Sequence, residues 1–173
     1  MKIAFFLPFI AALTLAHSAS ADPQPDVTGF WESDDSDGQP NAWFYFVEEF
    51  QNYEGRLVKA FPKPGAPNVP NCLKCSGDQK NAPMMGLVIV KQMKRDGLKY
   101  QDGAILDPRN GTVYRAQMDL SADGQQLSVR GYLGVSLLGQ TQVWTRLPDD
   151  SIARKDIPKE SLSPAIKGAP PPG

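Results

Sequence analysis

The chain has 173 residues, with 18 basic and 19 acidic side chains and a formal net charge of −1. A charge this close to zero gives no electrostatic reason to expect nucleic acid or an anionic membrane as a partner. The length left after any leader peptide fits one domain that can bury about two-thirds of its unfolded surface.

The N-terminus has the three parts of a secretory signal peptide. Lys2 supplies a positive charge, residues 3–16 are almost wholly apolar, and Ala19 and Ala21 form a small-residue cleavage site. The apolar run is too short to span a bilayer, which takes about 20 residues. We therefore predict cleavage after Ala21 and a protein that is exported, periplasmic or secreted. Cleavage also removes the only histidine, His17, and with it the commonest general base and every Ser-His or Cys-His pair.

The mature chain is predicted to be all-β. Apolar and polar residues alternate in eight short segments that are separated by turn-forming residues, a pattern typical of antiparallel strands. Asn52 to Gly55 are predicted to form the turn between the second and third strands. The predicted strands cover residues 28–32, 42–50, 56–61, 86–93, 100–106, 112–120, 125–133 and 140–147.

Eight short strands favour an antiparallel up-and-down barrel over residues 22–147. Closure removes the open edges that would otherwise pair with other chains, and eight strands leave room for side chains or one small ligand. A two-sheet β-sandwich is the alternative. Residues 148–173 are rich in proline and are predicted to form a mostly disordered tail, with a short helical turn near residues 159–166.

The segment from Pro62 to Pro83 interrupts the strands with five prolines and carries the only two cysteines, Cys72 and Cys75. Prolines at this density exclude a helix or an interior strand. Export to an oxidising compartment favours a structural Cys72–Cys75 disulfide, which would order the segment. Two alternatives stay open: a redox site, which would need a helix N-terminus that this context does not offer, and a metal site, for which two ligands are too few.

The first and last strands resemble those of lipocalin-like barrels. Gly29 and Trp31 have the Gly-x-Trp spacing that opens such barrels, and the last strand ends at Arg146. The resemblance implies that Trp31 plugs one end and that Arg146 lies across its ring as a cation–π contact. Arg130 is a second candidate for this role.

A set of short motifs is similar to those of one family of small exported bacterial proteins, domain of unknown function 2147. The resemblance covers residues 27–147 and implies an exported lipocalin-like barrel. It implies no activity, because the family has no established catalytic or binding residues. The motifs are Gly29-x-Trp31, Cys72-x-x-Cys75-x-Gly77, Pro83-x-x-Gly86-Leu87, Asp107-Pro108-x-Asn110-Gly111-x-x-Tyr114, Leu127-x-Val129-Arg130-Gly131-Tyr132 and Trp144-Thr145-Arg146.

Two groups of acidic residues are candidates for chemical sites. Asp35, Asp37 and Gly38 fit part of a calcium-binding loop, but the first acid and the final glutamate of that pattern are missing. Asp102 and Asp107 would serve as a catalytic pair only if the fold held them about 5–10 Å apart, and Asp107 is better suited to capping the turn at Pro108.

The sequence therefore predicts no catalytic residues, no cofactor, no metal and no nucleic-acid partner. Our leading hypothesis is an uncharacterised exported protein that holds a small apolar or amphipathic ligand in a barrel cavity. The alternative is a non-enzymatic structural or interaction protein of the cell envelope with a filled barrel. The residues predicted to line a cavity are Trp43, Tyr45, Met118, Leu127 and Val129.

Overall fold

The computed structural model describes residues 24–162. Its eight strands pair antiparallel, each with the next along the chain, and β1 also pairs with β8 to close the barrel. The predicted up-and-down barrel is confirmed. The strands are β1 (Gly29–Asp34), β2 (Pro40–Glu49), β3 (Asn52–Ala60), β4 (Val88–Asp96), β5 (Lys99–Asp107), β6 (Thr112–Leu120), β7 (Gln126–Tyr132) and β8 (Gln140–Arg146).

The β2–β3 hairpin differs from the sequence prediction. Phe50 and Gln51 both have positive φ, at 47° and 64°, and form the turn, as in two-residue hairpin loops of type I′. The predicted turn at residues 52–55 is wrong, because β3 already begins at Asn52. Tyr53 is buried in the barrel, and a Cβ atom on Gly55 would lie 2.6 Å from the ring of Phe46. Gly55 therefore makes room for an aromatic ring.

The two ends of the barrel are built differently. The closed end has the short turns at residues 50–51, 97–98 and 121–125, together with the entering segment 24–28. The open end has the connections at residues 35–39, 61–87, 108–111 and 133–139. Within residues 24–162, short 3₁₀ turns lie at Gly77–Gln79, Ser136–Leu138 and Arg154–Asp156.

The closed half is packed solid by large side chains that are fully or almost fully buried. Tyr53 and Tyr100 meet edge to face with ring centroids 5.0 Å apart, and the hydroxyl oxygen of Tyr100 accepts a hydrogen bond from the Val27 N–H at 2.9 Å. Burial raises the pKa of Tyr100 to about 12. Other members of this core are Trp31, Phe46, Met93, Met118, Leu120 and Leu127.

Part of the predicted tail lies against the barrel. Ile157 is buried with Phe30 and Val58 in a second, smaller core outside the barrel wall. A four-residue helix, α1 (Lys159–Leu162), follows. The predicted signal peptide at residues 1–21 and the tail beyond residue 162 lie outside the described residues. Within residues 24–162, no helix has the length and apolar character that a membrane span requires.

Candidate functional site

A cavity of about 620 Å³ occupies the open half of the barrel. This volume lies within the range of roughly 300–1,000 Å³ that is usual for small-molecule sites. Apolar side chains from four strands form its wall, and they are buried or half-buried: Leu57, Ile89, Ile105 and Val129.

Two stacked aromatic rings form the floor of the cavity. The rings of Phe44 on β2 and Trp144 on β8 are 4.2 Å apart and nearly parallel, at 8°. Phe46 meets Trp144 from below, edge to face, with centroids 6.2 Å apart. The floor therefore separates the open cavity from the solid closed half.

Uncharged polar side chains, which we call the polar ring, also line the cavity. Gln140 and Gln142 come from β8, Ser33 and Asn41 come from the neighbouring strands β1 and β2, and Tyr114 comes from β6. The oxygen Oε1 of Gln142 accepts a hydrogen bond from Trp144 Nε1 at 3.2 Å. This bond connects the polar side chains to the aromatic floor. A ligand would meet apolar groups below and hydrogen-bonding groups above.

An ion pair lies at the mouth of the cavity. Arg109 donates from Nε and Nη2 to the two carboxylate oxygens of Asp107, each at 2.9 Å. These bonds hold the pKa of Asp107 below its usual value, so the pair is ionised at neutral pH. The Asp107 carboxylate also accepts from the Arg109 N–H and from Asn110, which is the turn-capping arrangement.

The long connection at residues 61–87 covers one side of the mouth. Cys72 and Cys75 form a disulfide and are both buried. The sulfur of Cys72 lies 3.6 Å from the carbonyl oxygen of Pro108, so the disulfide packs against the turn that carries the mouth ion pair. Met84, near the end of this connection, reaches the cavity wall. The disulfide thus sits beside the cavity entrance and outside the cavity.

The opposite end is closed by Trp31 and Arg146. The guanidinium carbon of Arg146 lies 4.4 Å from the ring centroid of Trp31. Arg146 also donates to three carbonyl oxygens, to Gly124 at 2.5 Å, to Thr28 at 2.6 Å and to Asp26. Burial lowers its pKa, but an arginine stays charged throughout the physiological range.

Gly29 makes room for this arginine. Its φ is +103°, and a Cβ atom here would lie 3.2 Å from Nη1 of Arg146. Arg130 takes no part in this contact. It donates to the carbonyl oxygens of Ser136 and Leu137 and to the hydroxyl of Thr141, all at the open end.

The structure corrects four of the five predicted lining residues. Trp43 and Tyr45 lie on the outer face of β2, where they pack against the second core. Their neighbours Phe44 and Phe46 point inward instead, and because both faces of β2 carry aromatic rings, alternation could not decide between them. Met118 and Leu127 point inward but belong to the closed half, below the floor. Val129 lines the cavity.

Sequence reasoning missed the polar ring and the outer core. Gln140, Gln142 and Trp144 share one face of β8 because side chains alternate along a strand. A buried Trp144 therefore implied that both glutamines face inward, although their polarity suggested solvent. No comparable pattern in the sequence shows that Trp43 faces outward. In the structure its ring meets the ring of Phe61 edge to face, with centroids 5.6 Å apart, and Nζ of Lys59 lies 4.1 Å from the Trp43 centroid.

The structure does not bring the other candidate residues together as sites. Asp102 is exposed and lies 3.4 Å from Lys94, and five residues along one strand separate it from Asp107 by roughly 16 Å. In the loop considered for calcium, Nζ of Lys63 lies 2.9 Å from both Asp35 and Asp37 and so occupies the place of a cation. Residues 24–162 contain no cluster of acidic, histidine or cysteine side chains suited to a metal.

These features define a class of protein: a closed eight-stranded antiparallel barrel that is plugged at one end and holds a cavity at the other, as in the lipocalins. The fold is similar to that of protein HP1028 from the human pathogen Helicobacter pylori, which belongs to the lipocalin family. The match has a TM-score of 0.64, covers 80% of this chain and 97% of that chain, and has 16% sequence identity. At this identity the likeness shows the fold alone.

The chain belongs to a bacterial family described as "uncharacterized protein conserved in bacteria" (DUF2147), whose pattern matches residues 29–146. The match begins at Gly29, two residues before Trp31, and ends at Arg146, so it spans all eight strands. No curated protein is similar enough in sequence to count as a relative.

Proposed function

We propose that this protein is an exported binding protein that holds a small amphipathic ligand in the open half of its barrel. The observation that carries this proposal is the two-layered cavity of about 620 Å³. Its lower part, over Phe44 and Trp144, favours an apolar group. Its upper ring, with Gln140 and Gln142, offers hydrogen bonds to an uncharged or weakly charged polar group.

The binding energy would come mainly from the apolar part of the ligand. Burial of apolar surface is worth about 25 cal/mol per Å², and the wall needs little rearrangement because its residues are held in paired strands. The polar ring would fix the orientation of the ligand. Polar groups that a ligand leaves unpaired cost free energy, so the ring would discriminate against a pure hydrocarbon.

Export is the natural setting for such a protein. The Cys72–Cys75 disulfide forms and persists in oxidising compartments, and the family is bacterial. We therefore propose that the ligand is met in the periplasm or outside the cell. Tyr53, Met93 and Tyr100 are buried in the closed half, and the cavity in the open half supports a binding protein over the alternative of a filled barrel.

The test is a titration with a dansyl-labelled fatty acid, read by energy transfer from tryptophan. Trp144 forms the floor, so a ligand in the cavity would lie beside a donor. Ala42 is 6% exposed and lines the cavity, and the variant Ala42→Leu should weaken binding roughly tenfold by filling the space. Equal affinity in Ala42→Leu and wild type would place the ligand outside the barrel and contradict the proposal.

The matched control is Ala104→Leu, the same change on the outer face of β5. Ala104 pairs with Lys91 and Arg115 in the sheet and lies on the face opposite to Gly103 and the core. This variant should bind the labelled fatty acid as the wild type does. A similar loss in both variants would indicate a general effect of the substitution on the fold and would contradict a site inside the barrel.

A further inference from the structure

The connection between β7 and β8, residues 133–139, carries a cluster of exposed apolar side chains. We call it the rim loop. Its four large apolar residues are Leu133, Val135, Leu137 and Leu138, which are 61%, 62%, 85% and 80% exposed. Leu133 and Leu138 also line the mouth of the cavity. An apolar surface of this kind, beside an entrance and rimmed by polar groups, marks an interaction site.

The backbone of the rim loop is already hydrogen-bonded within the protein. Arg130 donates from Nε to the Ser136 carbonyl at 2.7 Å and from Nη2 to the Leu137 carbonyl at 3.1 Å. The N–H groups of Leu138 and Gly139 donate to Val135 and Ser136. Unpaired backbone N–H and C=O groups are costly in an apolar medium. A loop whose backbone groups are already hydrogen-bonded therefore enters an apolar medium at a lower free-energy cost.

The loop is also held in a fixed position on the barrel. A Cβ atom at Gly139 would lie 2.6 Å from the Gly131 carbonyl oxygen and 2.8 Å from the Tyr132 side chain, so the loop packs closely against the end of β7. Arg130 further donates to the hydroxyl of Thr141 at 2.7 Å. The contacts with β7 and β8 therefore fix the loop backbone, and the leucine side chains point away from the barrel.

Two exposed basic side chains and the acidic loop lie on different sides of the open end. Exposed Lys74 lies beside the β5–β6 turn, since a Cβ atom on Gly111 would lie 1.9 Å from the Lys74 carbonyl oxygen. Arg115 is exposed on β6, opposite Tyr132 at the base of the rim loop, and within residues 24–162 neither cation has an acidic partner. The other side of the open end carries the acidic loop at residues 34–37, where Lys63 is the balancing cation.

We propose that the rim loop docks on an anionic lipid surface, with its leucines at the boundary between headgroups and acyl chains. Lys74 and Arg115 would then lie near lipid phosphates, and the acidic side of the open end would tilt away. This inference goes beyond the proposed function, because it holds whether or not the cavity carries a ligand. Docking in this orientation would place the mouth of the cavity at the lipid surface.

A second copy of the chain is the other occupant to consider. The sides of the two open ends that would meet depend on the direction of the two-fold axis. The exposed Lys74 and Arg115 favour phosphate groups, and the oligomeric state of the protein tests the second copy.

The experiment is vesicle flotation of the purified protein with two lipid compositions, an equal mixture of phosphatidylglycerol and phosphatidylcholine, and phosphatidylcholine alone. All proteins need the same N-terminus, established by mass spectrometry, because the apolar residues 3–16 would themselves bind lipid. The wild type should float with the anionic vesicles and bind the neutral ones more weakly. Failure to bind the anionic vesicles would overturn the proposal.

Two double variants separate the apolar and electrostatic contributions. Leu137→Ser with Leu138→Ser should weaken binding to anionic vesicles by roughly tenfold or more, because two exposed leucines no longer enter the lipid. Lys74→Gln with Arg115→Gln should weaken it by roughly fivefold per charge, with no change on neutral vesicles. Binding of the leucine variant equal to that of the wild type would overturn the proposal.

The matched control is Phe50→Ser at the closed end. Phe50 is 73% exposed, so this change also removes an exposed apolar side chain, and binding should stay as in the wild type. Urea unfolding of each variant establishes that it is folded. Analytical ultracentrifugation without vesicles tests the second copy. A dimer that the leucine variant abolishes, without vesicle binding by the wild type, would overturn lipid docking.

Discussion

At the scale of single residues, the closed end depends on how one arginine is held. Arg146 stacks on Trp31 and donates to three backbone carbonyls, while Trp31 donates from Nε1 to the Val27 carbonyl at 2.8 Å. These bonds fix the entering segment 24–28 over the end of the barrel. Gly29 completes the arrangement, because any other residue would meet the guanidinium and strain the backbone at its φ of +103°.

The variant Arg146→Ala should lower the free energy of unfolding by about 3 kcal/mol. It removes a cation–π contact and leaves partly buried carbonyls unpaired, an effect that urea unfolding measures. Arg130→Ala is the matched control, since Arg130 also donates three hydrogen bonds but at an exposed loop, and it should cost less than about 1 kcal/mol. Equal losses in the two variants would contradict the structural role of Arg146.

At the scale of elements, alternation was enough to predict the strands but not the face of every residue. β6 alternates cleanly, with Ala116, Met118 and Leu120 buried, because only one of its faces meets a core. β2 meets a core on both faces. The inner barrel takes Phe44 and Phe46, and the C-terminal segment covers Trp43 and Tyr45. A single strand carries no information on a distant segment that packs behind it, so this choice could not be predicted.

The long connection at residues 61–87 and the β5–β6 turn form one packed unit at the open end. Gly111 and Gly65 have almost the same positive φ, +78° and +79°. A Cβ atom on Gly111 would collide with the Lys74 carbonyl, whereas one on Gly65 would meet nothing within 4 Å. The pair therefore separates the conformational cost of alanine from the cost of the clash.

Gly65→Ala should destabilise the protein by about 1–2 kcal/mol, the cost of a left-handed alanine. Gly111→Ala should cost about 1–3 kcal/mol more, because the turn must move away from the disulfide-bonded connection. Urea unfolding gives both values, and amide hydrogen exchange shows whether residues 71–83 lose protection only in Gly111→Ala. Equal costs and equal exchange would show that the two segments do not support each other.

At the scale of the whole molecule, the total charge conceals an uneven distribution. The formal net charge of −1 gave no reason to expect an anionic surface as a partner. Folding places the acidic loop at residues 34–37 on one side of the open end and Lys74 and Arg115 on the other. Closure of the barrel could be predicted from the number of strands and the Gly29-x-Trp31 and Arg146 positions, whereas the sequence left open whether the barrel is filled. The sorting of charges around the mouth depends on long connections whose course the sequence pattern does not specify.

The barrel also divides by function along its axis. The closed half has the fully buried aromatic and methionine side chains, the plug and the entering segment, and it supplies stability. The open half has the stacked floor, the polar ring and the mouth ion pair, and it supplies the proposed site. Substitutions below the floor should therefore change the stability of the protein, and substitutions above it should change the binding of a ligand.

Native mass spectrometry of the protein purified from its producing cells tests the proposed ligand site most directly. We expect the wild type to carry an added mass that organic extraction releases as a small amphipathic molecule. The same mass should persist in Ala104→Leu and be lost in Ala42→Leu, which fills the cavity. An empty wild-type protein, or a mass that Ala42→Leu retains in full, would contradict a ligand held in the open half of the barrel.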